Sequence, residues 1–181
     1  KECVAGKKTF GIPTIINGKL SEMGTLVTIA EVAKEYENGE MDIVTIGTMV
    51  FRILEIIKSV PDKLYSGAIV NYPHNSDTYH KRGLMELVLK AVRELHRMLN
   101  ISKDFKKPDE DLNAYDIAHH AGLSLEEEYE LLGLLKEEQR QEYLKRHLGK
   151  VLPVLMKMEI LKERVKLNGH FKNLSSFRFG E

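Results

Sequence analysis

At Pro73 the hydrophobic pattern of this 181-residue chain changes its period, and that switch constrains the fold more than any other feature. Before it, short apolar runs rich in Val, Ile and Thr alternate with turn residues. After it, apolar residues recur at three- and four-residue steps, the repeat of a helix face. The order is strands first and helices second, so the chain reads as α+β. The reading divides it into a β-rich part over 1–76 and a helical part over 77–181.

In the first part, Phe10–Ile16 is the opening strand, and Pro13 places it at an edge or a bulge because proline cannot donate to a ladder. Asn17-Gly18 marks a turn. Residues 26–34 form the next strand. Asn38-Gly39 is the strongest short turn signal, since both residue types tolerate positive φ. Residues 41–47 follow, with Gly47 a place to bend or bulge, then strands at 51–58 and 66–72. Ile53, Leu54, Ile56 and Ile57 point to both faces of a strand. A sheet covered on both sides, or curled into a small barrel against helices, accounts for that better than an open sheet with one wet face.

In the second part, Leu84, Leu87, Val88, Ala91, Val92, Leu95 and Met98 make one helical stripe, with Asp77 or Thr78 as its cap. A short helix over 112–120 ends near Gly122. Ser124 and Glu127 form a capping box that opens a third helix through Leu135. A long helix over about 138–167 stops at Asn168-Gly169. Along it, Leu144, Leu148, Val151, Leu155, Met158 and Val165 alternate steps of four and three, with Lys162 interrupting the seam. Pro153 inside it predicts a kink.

The charges balance, 27 Lys+Arg against 27 Asp+Glu. That argues against non-specific attraction to nucleic acid or an anionic membrane. No apolar run approaches the ~20 residues of a membrane span. The lone Cys3 excludes an internal disulfide and fits a cytoplasmic chain. The opening residues through Gly6 read as the end of a helix closed by a left-handed glycine, which leads us to expect further residues before Lys1.

A search for chemistry is mostly negative. Gly6-Lys7-Lys8-Thr9 lacks the first glycine and the final Ser/Thr of a phosphate loop. His119-His120 are adjacent on a helix, point about 100° apart and converge poorly on one metal; they read as a helix C-terminus favoured by the dipole. Most of the other histidines lie beside charged residues and read as surface residues, and Glu126-Glu127-Glu128 reads as a helix first turn. Phe171, Lys172, Phe177, Arg178 and Phe179 interleave aromatic and basic groups, a pattern that can bind nucleic acid, but without a wider basic patch. No residue is assigned a catalytic or metal-binding role, and no cofactor is expected.

Two stretches resemble the N-terminal domain of the Lon protease family. One runs Gly24-Thr25-Leu26-Val27-Thr28-Ile29, then from Asn38-Gly39 to Gly47, then Phe51-Arg52-Ile53. The other joins Asp116-Ile117-Ala118 to the segment from Leu123-Ser124 through Leu131-Leu132. Val50 departs from the pattern, which often has Arg there. The resemblance spans about residues 9–167. It implies a small barrel-like (PUA-like) β subdomain followed by a helical bundle with a long kinked C-terminal helix. It also implies a non-catalytic, stand-alone or cut-out domain that recognises unfolded or partner proteins for an ATP-dependent protease. The expected partners are therefore proteins, with self-association possible, no membrane, and nucleic acid disfavoured. Met23, Met49, Tyr65 and Tyr72, at strand ends or loops, are the candidate peptide-binding residues; ordinary core packing is the competing account of each. The alternative functions are a nucleic-acid-binding small barrel, which needs a basic stripe, and an uncharacterised enzyme, which needs a deep polar pocket.

Overall fold

A computed structural model describes residues 1–76, 82–102 and 105–174. The expected caps Asp77 and Thr78 and the residues Phe177, Arg178 and Phe179 lie outside the described residues. The chain divides into two compact units, Lys1–Thr78 with Ser124–Gln139 and Tyr79–Leu123 with Arg140–Glu181.

The first unit opens with a short helix α1 (Glu2–Gly6), which ends on Lys7 in the left-handed region (φ 48°) rather than on the glycine before it. Four antiparallel strands follow in simple meander order: β1 (Phe10–Ile16), β2 (Lys19–Glu35), β3 (Met41–Ile57) and β4 (Gly67–Asn71). The sheet does not close, so β1 and β4 are its edges. Pro13 lies on edge strand β1, next to a register shift between Pro13 and Ile15.

The two turn signals are used differently. Asn17 (φ 50°) and Gly18 (φ 74°) both take positive φ, the two-residue turn whose twist matches its flanking strands. At the second turn only Gly39 does (φ 82°). There Gly39 N–H donates to the Tyr36 carbonyl (2.8 Å) and Tyr36 N–H to the Glu40 carbonyl (2.9 Å). The extra loop residue lets a turn of the common hand precede a single left-handed glycine.

The expected strands at 41–47 and 51–58 are one strand, bulged where the sequence placed a break. Leu26 pairs with Met49 but Val27 with Gly47, leaving Thr48 as the extra residue, its hydroxyl donating to the Leu26 carbonyl at 2.9 Å. Further shifts fall between Ile29 and Glu31, between Val32 and Lys34, and between Ile53 and Glu55. Each bulge bends its strand and adds twist. The result is a strong curl: a straight strand of 17 residues spans about 55 Å at ~3.3 Å per residue. Yet Lys1 Nζ lies 2.8 Å from where a Gly39 Cβ would stand, at one end of β3. The adjacent Glu2 is ion-paired with Lys63 (2.5 Å), beyond the other end. The barrel-like curvature is present; hydrogen-bonded closure is not.

Helix α4 (Leu125–Leu132) packs against β1. Its capping box is formed: Ser124 N–H donates to Glu127 Oε2 (2.8 Å) and Glu127 N–H to Ser124 Oγ (3.2 Å). Met23 N–H donates to the Tyr129 hydroxyl (3.3 Å). Buried Leu131, Met23, Val27, Val50 and Phe51 make the core of the unit. Ser76 bridges to the residues around Lys136, its N–H donating to the Leu135 carbonyl and its carbonyl accepting from Glu137 N–H.

The second unit holds α2 (Arg82–Met98), a 3-10 turn (Asp109–Asp111), α3 (Ala114–Ala118) and the part of α5 (Glu137–Leu174) from Arg140 on. Val88, Leu89, Val92, Leu95, Ile117, Leu144 and Leu148 form its core. The α2 stripe is rotated from the expected one: Met85, Leu89 and His96 are buried, while Leu87 is exposed. Helix α3 opens on a capping box that the sequence reading passed over, Asn113 with Asp116. The long helix runs through Pro153 and past the expected stop at Asn168-Gly169 to Leu174. A glycine inside a helix costs only ~1 kcal/mol, so Asn-Gly alone does not end one.

Candidate functional site

Among the described residues no group of three His, Cys, Asp or Glu is placed to hold a metal. Nor, among the described residues, is any helix long and apolar enough to cross a membrane. The histidines have structural work. His96 is 7% exposed, and its Nε2 lies 3.3 Å from the His120 carbonyl; His147 Nε2 lies 3.2 Å from the Ala121 carbonyl. A carbonyl can only accept, so each imidazole donates to the backbone just after α3, where helical carbonyls lack partners. The surface reading of His96 is corrected by its burial, while His147 is half-buried. His119 and His120 follow the α3 C-terminus as expected.

The prominent surface feature lies on the strands. Residues 28–35 of β2 continue beyond the reach of β1, and residues 41–51 of β3 continue beyond the reach of β4. Among the described residues these stretches are paired on one side only. Their outer N–H and C=O groups form an edge able to accept another strand. Along the β3 stretch Ile43, Val44, Ile46 (57% exposed) and Met49 (48%) are open to solvent. Exposed Leu54, Ile56 and Ile69 continue the apolar surface on β3 and β4. Leu54 is turned out by the bulge between Ile53 and Glu55, which leaves it without a partner across the ladder.

The four candidate peptide-binding residues are not brought into one cluster. Met23 is 4% exposed and packs in the core. It pairs with Arg52, which in turn pairs with Asn71, the neighbour of Tyr72. Tyr72 itself is exposed. Tyr65 precedes β4, near the end where Gly67 pairs with Ile57, and its hydroxyl lies 3.4 Å from Glu2 Oε2. Met49 alone lies on the apolar β3 stretch. Ile43, Val44 and Ile46, which extend that stretch, were read as strand residues and not as binding residues. The signal available was that they point to both faces beside a turn. Val50, where the Lon pattern often has Arg, is 5% exposed; this position belongs to the core.

A curled, open antiparallel sheet followed by helices is an arrangement found in solved structures. The protein described as a Lon N-terminal domain protein from Xanthomonas campestris matches with TM-score 0.53 and 23% identity, over 79% of this chain and 78% of that one. The fold is that of a Lon N-terminal domain. The N-terminal domain of the Mycobacterium avium complex Lon protease matches with the same TM-score and the same coverage at 14% identity. No family model and no curated protein matches the sequence. At these identities the likeness to the Lon N-terminal domains is one of fold.

Proposed function

We propose that this chain is a non-catalytic protein-binding module that takes extended, apolar segments of unfolded client chains along the free edge of β3. The observation that carries the proposal is the coincidence on residues 41–51 of unpaired ladder groups with exposed Ile43, Val44, Ile46 and Met49. A client strand laid along this edge gains main-chain hydrogen bonds without regard to sequence, and apolar burial from alternate side chains. Both terms select an unfolded chain, because a folded one has already used its backbone groups and buried its apolar residues. The fold shared with Lon N-terminal domains supports the same reading and links it to protein quality control. No ATP hydrolysis or peptide cleavage belongs to this reading, and the cytoplasm is its compartment.

The test is binding of a fluorescent, permanently unfolded casein-like protein to the chain and to Ile46→Lys. Ile46 is exposed, so the variant folds. Burying a charge in place of the isoleucine should weaken binding about tenfold or more. Equal affinity of the two proteins would refute the β3 edge as the site. ATP and substrate turnover measured on the same preparation should be nil.

A further inference from the structure

The free edge of β3 has two unlike ends. Around its start the β2–β3 hairpin carries Glu31, Glu35, Glu37, Glu40 and Asp42, all exposed. Across the ladder Glu35 lies opposite Met41 and Glu31 opposite Val44. Among the described residues none of these five carboxylates is in an ion pair. Asp42 accepts a hydrogen bond from the Tyr36 hydroxyl (2.7 Å), which leaves its charge in place. The cations here are fewer. Lys34 Nζ lies 4.4 Å from the Tyr36 ring centroid, and Lys1 Nζ comes beside Gly39. Five negative charges against two positive ones make this end acidic in a chain whose charges balance. At the other end Arg52 lies 4.0 Å from Glu22, so the charges there cancel.

The sheet also sets a direction for a client strand. β4 occupies the neighbouring part of the same edge, antiparallel to β3, and its last pair is Asn71 with Arg52. Pro73 has no N–H with which to extend that ladder. Every pairing in the sheet is antiparallel, and this is the slightly more stable form. A client that continues the line of β4 begins opposite residue 51 and ends opposite residue 41, at the acidic hairpin. The stretch is about 35 Å long at ~3.3 Å per residue. That is several times the ~8 Å Debye length at physiological salt, so the carboxylates act on the last few client residues. The apolar run before them is left to Ile43, Val44, Ile46 and Met49. Taking the β3 edge as the client site proposed above, we infer that it selects apolar segments followed on their C-terminal side by Lys or Arg. A segment followed by Asp or Glu meets like charge at the hairpin and is disfavoured.

Two peptides of one composition test this, both blocked at their termini: a Val/Ile/Thr run followed by two lysines, and the same run preceded by them. At low salt the lysine-last peptide should bind the full chain about fivefold more tightly, as expected of a few exposed charge pairs. The preference should vanish at about 1 M salt, where screening acts within ~3 Å. It should vanish also in the triple variant Glu31→Gln, Glu35→Gln, Glu40→Gln. These side chains are exposed and outside every ion pair and side-chain hydrogen bond among the described residues, so the variant folds. Hydrogen exchange of the residue 41–51 amides separates this inference from the reading beneath it. If neither peptide protects those amides, the β3 edge is not the site and the inference falls with it. If both protect them and bind equally, the edge stands and selection by charge is overturned. A preference for the lysine-first peptide overturns the antiparallel direction. A lysine-last preference that survives the triple variant overturns the role of the hairpin carboxylates.

Discussion

A Cβ at position 24 would run into the Phe51 ring and lie 2.7 Å from the Ile12 carbonyl; one at position 11 would stand 3.0 Å from the same ring. Phe51 thus lies across two glycines on neighbouring strands, filling the space that their side chains would take. Gly24→Val should destabilise the protein by about 2–4 kcal/mol, the cost of overpacking a closed core site, measured by urea unfolding. Gly24→Val with Phe51→Leu should recover part of the loss, because the shorter side chain vacates the collision. If Gly24→Val is neutral, the ring does not hold this position. Arg140 is a second residue whose role only the fold reveals. It is fully buried, its guanidinium 4.2 Å from the Tyr115 ring centroid and its Nη1 3.2 Å from the Tyr115 hydroxyl. In the sequence it is one charge among several in a polar helix start, and its partner is 25 positions away.

At the scale of elements, what local chemistry determines was legible. Phe10–Ile16 is the strand expected, Pro13 marks its edge position, Ser124 opens α4, and the glycine at 47 sits at a bulge. What depends on cross-strand pairing was not. A bulge joins two apparent strands into β3, and only the register of β2 shows which residue is the extra one. The end of α5 was misplaced for a related reason: a weak stop signal was outweighed by helix formers on both sides. Pro153 remains the sharp local signal in that helix. It removes one N–H and crowds the preceding turn, so we expect a bend there. Pro153→Ala should straighten the helix and raise the melting temperature, by an amount bounded by the ~3 kcal/mol of an interior proline. A melting temperature unchanged or lowered would mean that the bend is itself used for packing.

At the scale of the whole molecule, the change of period at Pro73 and the Lon-like motifs pointed to α+β and to the fold that the solved structures show. The openness of the sheet was not readable, because closure depends on which strand ends meet. Nor was the joining of residues 124–139 to the strands, which rests on Tyr129, Leu131 and the Ser76 bridge. The exposed β3 edge emerges only when the reach of β1 and β4 is known. From that edge follows the claim that the chain distinguishes unfolded from folded protein. The most direct test titrates the chain against a single protein in two forms, native and irreversibly reduced and alkylated. The account predicts saturable binding of the unfolded form, with the β3 amides of residues 41–51 gaining protection from hydrogen exchange, and none of the native form. Equal binding of both forms, or binding that leaves those amides unprotected, would contradict it.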